Sequence, residues 1–243
     1  MKRLDPALDA AKRNAAARAV EAIENKMVLG LGSGSTAGIA LELLAQRIAR
    51  GLDVVGIPTS ERTAALARKL DIPLTDFARH RRIDLTIDGA DQVEEGTLNL
   101  IKGLGGAQLR EKIVAEASTR VVIVADHTKR VKQLGSATPL PVEIVPFGSE
   151  IAVEKLVGLG CTATLRRDGD RAFVTDGGSF IADCLFARIP DAVALQAQLK
   201  RITGVIETGL FVGLASEAFL GTDDGVTVLT RVPKIAGRLD TRP

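Results

Sequence analysis

Residues 27–37 read MVLGLGSGSTA, an apolar run that leads into a loop of glycines and hydroxyl residues. Residues 38–51 follow as GIALELLAQRIARG, whose apolar positions recur at helical spacing, so we predict an amphipathic helix ending at Gly51. Strand, glycine loop and helix in this order begin a β-α-β unit. Repeated units of this kind build a parallel sheet with helices on both faces.

The alternation extends to both sides of this stretch. A helix is predicted over residues 5–25, and strand–helix pairs continue to residue 129. The later predicted strands are 53–60, 82–91 and 120–129, and the later helices are 61–70 and the second half of 98–118. The polar motifs of this region follow predicted strands, and ligands of parallel sheets bind beyond the carboxyl ends of strands. We therefore predict one shared site.

The pattern changes near Gly135. Residues 136–148 contain three prolines, and residues 162–186 alternate like antiparallel strands with Asp-Gly hairpin turns. Helices are predicted on either side of these strands, over residues 150–160 and 191–202.

Strands are predicted over residues 209–230, on either side of an Asp-Gly turn. We expect these strands to return to the first sheet. The predicted fold class is therefore α/β, a parallel-sheet domain with an inserted small α+β domain. We assign residues 1–134 with 207–243 to the parallel-sheet domain and residues 135–206 to the insertion. Residues 232–243 are predicted to be a tail.

Composition argues against several classes of protein. The 243 residues carry a formal net charge of +2 and only 3% aromatic residues, a poor supply for binding nucleic acid. No apolar run is long enough to span a bilayer, and the charged N-terminus has no signal-peptide core. Cys161 and Cys184 form no disulfide or zinc pattern and are predicted to be small core residues. We expect a cytoplasmic protein that binds neither nucleic acid nor membrane.

The loop from Gly30 to Thr36 is the first candidate site. Glycine amides at a helix N-terminus, with hydroxyl residues beside them, suit a phosphate monoester. A tight turn that binds nothing is the alternative. The loop also fits a dinucleotide pattern, but the second strand ends in Pro58-Thr59-Ser60 where that pattern wants an acid. A Walker A motif fails because no Lys precedes Ser35.

Two later loops carry charged groups. Asp88-Gly89-Ala90-Asp91 could bind sugar hydroxyls, assist proton transfer or hold a metal, or could be a solvated Asx turn. His80 and His127 lack metal-ligand spacing. Lys102 lies among glycines and could stabilise a developing oxyanion.

Glu111 lies just inside the helix that follows the Lys102 loop. Its carboxylate could be a general base, or an acid that complements the helix dipole. Lys129 follows another strand and could reach a substrate oxygen, or could be solvated.

Together these segments resemble the type A ribose-5-phosphate isomerases over nearly the whole chain. The matching segments are GLGSGST, GIPTSERT, DLTIDGADQVE, LIKGLGGAQLREKI, VADHTK, LPVEIVPF, ETGLF and GTDDGV. The resemblance implies a Rossmann-like α/β domain with an inserted small α+β domain. It implies interconversion of ribose 5-phosphate and ribulose 5-phosphate in the pentose phosphate pathway, with no metal or organic cofactor. It also implies a homodimer or a dimer of dimers.

The resemblance assigns the site residue by residue. Glu111 is the general base of an enediolate mechanism, Asp88 assists ring opening, and Lys102 completes the catalytic set. The implied substrate contacts are Lys12, Ser33, Gly34, Ser35, Thr36, Asp88, Gly89, Ala90, Asp91, Lys102, Gly103, Leu104, Gly105 and Lys129.

The sequence departs from the family pattern at a few positions. Gln92 replaces a usual Glu, and the Lys102 loop has Leu104, Gly106 and Gln108 where the family usually has a third Gly and then two Ala. Leu109 and Thr203 replace a common Thr and a usual Pro. None of these changes removes a residue with a named chemical role.

Three rival functions remain. A phosphosugar deaminase or lactonase could share the glycine loop, although the Lys102 loop with Glu111 argues against it. A sugar-phosphate sensor in a transcriptional regulator would carry a DNA-binding helix-turn-helix before the first strand. Here only one helix is predicted before that strand. A nicotinamide-dependent oxidoreductase would bind a nucleotide, and quenching of cofactor fluorescence would reveal it.

Overall fold

The structure is a computed structural model that describes residues 6–136 and 138–231. The predicted tail, residues 232–243, lies outside the described residues. The α-helices are α1 Pro6–Val20, α2 Ser35–Ile48, α3 Glu61–Lys69, α4 Gln108–Glu116, α5 Ser149–Val157 and α6 Ala192–Lys200.

The strands are distributed along the whole described chain. They are β1 Val28–Leu31, β2 Val55–Pro58, β3 Ile83–Asp88, β4 Gln92–Glu94, β5 Leu100–Ile101, β6 Ser118–Asp126, β7 Arg130–Val131, β8 Leu140–Ile144, β9 Thr162–Leu165, β10 Arg167–Asp168, β11 Arg171–Ala172, β12 Phe180–Leu185, β13 Val205–Thr208, β14 Leu210–Phe211, β15 Glu217–Gly221 and β16 Val226–Thr230.

The first sheet has the strand order β16-β15-β6-β3-β1-β2. Every neighbouring pair is parallel except β15 with β16, so the predicted parallel sheet and the return of the chain to it are confirmed. Alternate residues of β6 belong to two different cores: Val122 and Val124 to one, Val121 and Ile123 to the other. The sheet is therefore covered on both faces, which explains its continuous apolar strands.

A second sheet, with strand order β13-β8-β12-β9, is antiparallel throughout. It packs with α5 and α6 around a core of its own. Cys161 and Cys184 are free and buried in that core, as predicted. The fold is thus a parallel-sheet α/β domain plus antiparallel sheets and helices.

A third sheet, with order β14-β5-β4-β7, was not predicted. Its strands have two or three residues each, too few to show a period in the sequence. It follows the ends of β3 and β6, and β4 and β5 lie between the loops that carry Asp91 and Lys102. The third sheet therefore fixes the spacing of two candidate site loops.

The predicted bounds of two helices are wrong. The second helix begins at Ser35 rather than residue 38, because Gly34 at φ 94° ends the loop and Ser35 and Thr36 already belong to the helix. It ends at Ile48, with a turn up to Gly51. The first helix ends at Val20, not at residue 25.

Candidate active site

A cavity of about 420 Å³ opens beyond the carboxyl ends of β1, β3 and β6. Predicted site residues that line it are Lys12, Ser33, Gly34, Ser35, Thr36, Gly89, Ala90, Asp91, Lys102, Gly103, Gly105, Glu111 and Lys129. The structure thus brings together motifs that are far apart in the sequence.

The cavity also has walls that sequence reasoning missed. They are Leu8, Asp9, Ala125, Asp126 and Thr128. Asp126 and Thr128 lie close to the predicted Lys129 in the sequence, at the end of β6. This position at the end of a strand could have indicated that they line the cavity. Two predicted residues, Asp88 and Leu104, do not line the cavity: Asp88 is buried behind Lys102, and the Leu104 side chain is exposed.

The N-terminus of α2 faces the cavity through Gly34, Ser35 and Thr36. Gly34 is the N-cap residue, and no side chain makes a capping hydrogen bond there. Helix N-terminal amides without a protein acceptor favour an anion, which the helix dipole also attracts. This end of the cavity can therefore hold a phosphate group.

The hydroxyl of Ser33 points into the protein. Its Oγ lies 2.8 Å from Thr59 Oγ1, 2.9 Å from Ser60 Oγ and 3.0 Å from Thr63 Oγ1. The Ser33 backbone amide donates to Asp88 Oδ1 at 2.9 Å. Ser33 thus ties the glycine loop to β2, α3 and β3, which leaves Gly34, Ser35 and Thr36 as the loop's nearest anion donors.

Asp88 anchors the other side of that loop. Its Oδ1 accepts hydrogen bonds from the amides of Ser33 and Gly89, while its Oδ2 lies 3.0 Å from Lys102 Nζ. Gly32 allows this approach, since a Cβ there would lie 2.3 Å from Asp88 Oδ1. Asp88 therefore positions both the glycine loop and the Lys102 ammonium.

Lys102 is buried with its ammonium among oxygen atoms. Its Nζ donates to Gly89 O at 2.5 Å and lies 3.3 Å from Glu111 Oε2. Burial lowers the pKa of Lys102, but the Asp88 and Glu111 carboxylates outweigh it and raise that pKa above its ordinary value. The lysine is a fixed cation at the inner end of the cavity.

Glu111 lies in the first turn of α4 and is 5% exposed. Burial raises its pKa to about 7, although the Lys102 charge opposes the shift. Its Oε2 is within ion-pair distance of Lys102 but accepts no hydrogen bond from the described residues. A carboxylate with a pKa near neutrality and an unused oxygen can accept and return a proton.

Two further lysines line the cavity. Lys12 of α1 lies 3.8 Å from Asp9 Oδ1, so its charge is partly balanced. Lys129 ends a short 3₁₀ turn, residues His127–Lys129, which is capped by the Asp126 carboxylate. Both lysines add positive charge at the cavity wall, which would attract an anion.

The departures from the family pattern have structural consequences. The Gln92 side-chain amide donates to Ser136 O at 2.7 Å and accepts from the Gly135 amide, so it braces a loop away from the cavity. Gln108 is fully buried beneath Gly103, and neither amide atom has a partner among the described residues.

Within residues 6–136 and 138–231, no cluster of His, Cys, Asp and Glu is arranged to hold a metal ion. No helix in those ranges is both long and apolar enough to cross a bilayer.

Comparison with known proteins gives a consistent result. Residues 55–225 match the family model described as ribose 5-phosphate isomerase A (phosphoriboisomerase A). A curated relative of that name from Gloeobacter violaceus is 54% identical, over 92% of this chain and 97% of its own.

Solved structures agree with this match. The ribose 5-phosphate isomerase A of Methanocaldococcus jannaschii superposes with a TM-score of 0.88 at 38% identity, covering 92% of this chain and 99% of that one. A D-ribose-5-phosphate isomerase in complex with phospho-erythronic acid has a TM-score of 0.89 at 37% identity, with the same coverage.

Proposed function

The chain belongs to the ribose 5-phosphate isomerase A family, and we propose that it interconverts ribose 5-phosphate and ribulose 5-phosphate through an enediolate with Glu111 as general base. It is therefore an isomerase, and its family belongs to the pentose phosphate pathway. The substrate, the intermediate and the base are proposed from the site.

The observation that carries the proposal is that one cavity holds an anion site and a proton-transfer site. Ser35 and Thr36, the first residues of α2, form the anion site, and Glu111 and Lys102 form the proton-transfer site. The relative bound to phospho-erythronic acid supports this reading, since that ligand joins a phosphate to a sugar acid. Its carboxylate carries negative charge, as an enediolate does.

The proposed reaction moves one proton between neighbouring carbons. Glu111 removes the proton from C2 of the open-chain aldose and returns it to C1, while the hydroxyl proton moves to the other oxygen. The intermediate carries negative charge on oxygen, which the Lys102 ammonium and the amides of its loop would stabilise. The phosphate, held at α2, anchors the reacting carbons beside Glu111.

Asp88 contributes indirectly in this scheme. Its two oxygens already contact the amides of Ser33 and Gly89 and the ammonium of Lys102. We propose that its contribution to ring opening passes through Lys102, whose position and charge it maintains. Asp91, which lines the cavity directly, is left to contact the sugar.

The test is an isomerase assay on ribose 5-phosphate in excess EDTA. Wild type is expected to form ketose, and Glu111→Gln to lose at least ~10²-fold in kcat, the scale of a lost general base. Glu116→Gln is the matched control, because Glu116 is an exposed acid on the same helix. Near-normal activity of Glu111→Gln would remove Glu111 from this role, and no ketose from folded wild type would favour a related phosphosugar reaction.

We propose a catalytic domain of residues 1–134 with 207–243, and an inserted domain of residues 135–206, to be tested by limited proteolysis. We propose a homodimer, the commonest assembly of soluble enzymes, to be tested by sedimentation. We further propose activity without a metal or organic cofactor, and a cytoplasmic location.

A further inference from the structure

The loop of residues 102–106 contacts the second sheet as well as the cavity. Arg166, which follows β9, donates from Nη1 to Gly103 O at 3.0 Å and to Leu104 O at 3.1 Å. These are two consecutive carbonyls of the loop that carries Lys102. A guanidinium is a planar, permanently charged donor, so it can hold two carbonyls in a fixed relation.

Arg166 is itself held in place. Its Nε donates to Asp183 Oδ2 at 2.8 Å, and its Nη2 donates to Asp183 Oδ1, which makes a bidentate pair with β12. The Phe173 ring lies 5.7 Å from its guanidinium carbon. The Arg166 side chain is 13% exposed. Because Asp183 and Phe173 already restrict the Arg166 side chain, its contacts with the loop cost little further conformational entropy. We call the two hydrogen bonds from Arg166 to the Gly103 and Leu104 carbonyls the clamp.

Phe173 also packs on the loop. A Cβ on Gly106 would lie 2.5 Å from its ring, so the ring rests directly against the loop backbone. The loop is thus contacted by one cation, which follows β9 of the second sheet, and by one aromatic ring, which follows the β10–β11 hairpin.

Peptide geometry relates this clamp to the cavity. All described peptide bonds are trans, so each carbonyl points away from the next residue's N–H. With the Gly103 carbonyl directed at Arg166, the Leu104 N–H points to the other side, where it donates to Asp91 Oδ2 at 3.0 Å. The Leu104 carbonyl is held in the same way, so the Gly105 N–H also points away from Arg166, and Gly105 lines the cavity.

We propose that Arg166 is a positioning residue that holds the Gly103 and Leu104 carbonyls so that the Gly105 amide faces the substrate, a role that rests on the isomerase function proposed above. Arg166 touches no substrate itself. It makes catalysis depend on the second sheet, which supplies no residue to the cavity lining described above.

The test compares Arg166→Ala with Arg167→Ala. Arg167 is the exposed neighbour, whose guanidinium contacts Asp170 O in its own hairpin, so it controls for loss of a charge at this edge. We expect Arg166→Ala to lose about 10–100-fold in kcat with KM changed less than about 3-fold, because misplaced donors weaken the transition state while the phosphate site is untouched. Free guanidinium ion at millimolar concentration should restore part of the kcat.

A second variant covers the risk of misfolding. Arg166→Ala with Asp183→Asn removes the carboxylate that the first change leaves unpaired. The double variant should recover stability but not kcat. If the role of Arg166 were only structural, the double variant would recover both. Equal kcat in Arg166→Ala and Arg167→Ala, or a loss confined to KM, would overturn the proposal.

Amide hydrogen exchange separates this proposal from the proposed function. The amides of Leu104 and Gly106 donate to Asp91 Oδ2 and to Gly103 O, and they should exchange at least about 10-fold faster in Arg166→Ala than in Arg167→Ala, whatever the substrate is. If wild type fails to isomerise ribose 5-phosphate, the proposed function fails while this measurement still decides on the clamp. Unchanged exchange would reject the clamp even in an active isomerase.

Discussion

Replacing Glu111 by Gln should make the protein more stable at alkaline pH while removing its activity. Glu111 is buried, and its pKa is raised from 4.5 to about 7 even with Lys102 beside it. An acid with a raised pKa in the fold adds stability below its unfolded pKa and loses it as the pH rises through the folded pKa. Gln resembles the protonated acid at every pH.

The size of the effect follows from the pKa difference. Each pKa unit corresponds to about 1.4 kcal/mol, so ionised Glu111 costs the fold about 3 kcal/mol. The gain of Glu111→Gln in unfolding free energy should therefore be about 3 kcal/mol larger above pH 8 than below pH 4.5, with the change between pH 4.5 and about 7.

Urea unfolding of wild type, Glu111→Gln and Glu116→Gln at pH 5, 7 and 8.5 measures this directly. The difference between wild type and Glu111→Gln should grow with pH, while Glu116→Gln should follow wild type because its carboxylate is exposed. A difference that stays constant with pH would refute the argument, because Glu111 would then ionise as easily in the fold as in the unfolded chain.

Three other outcomes follow from the same site. The kcat/KM of wild type should fall tenfold per unit on the acid side of about pH 7, since the general base must be ionised; a profile flat to pH 5 would contradict this. Lys102→Met should lower kcat by about 10²–10³-fold in the isomerase assay, the scale of a lost oxyanion donor, and a normal kcat would show that the ammonium is dispensable. Lys129→Met should raise KM more than it lowers kcat in a substrate titration, as expected for a charge at the cavity wall; an effect on kcat alone would place Lys129 at the reacting carbons.

The first sheet was predictable because its signals are local. Buried apolar strands such as β3 and β6 stand out by composition, and each ends at a polar loop. Since parallel strands share one carboxyl edge, the meeting of Gly34, Asp91 and Lys129, which follow β1, β3 and β6, in one cavity could be expected before the structure was known.

What remained unpredicted depends on contacts between distant residues. The Ser33 hydroxyl forms hydrogen bonds with the hydroxyls of Thr59 and Thr63, which lie 26 and 30 positions further along the chain. Arg166 looks like a solvated arginine in an alternating strand, and only the packing of two sheets brings it to the Gly103 carbonyl. The pKa of Glu111 likewise comes from burial, which its helical position alone does not reveal.

Isomerisation in D₂O tests the central claim most directly. If Glu111 carries the proton through an enediolate, repeated conversion by wild type should place solvent deuterium on C1 of the ketose and C2 of the aldose, and mass spectrometry or NMR would detect it. Glu111→Gln should incorporate none over the same time, while Glu116→Gln should match wild type. Full conversion by wild type with no deuterium after many equilibrations, or undiminished incorporation by Glu111→Gln, would contradict the account.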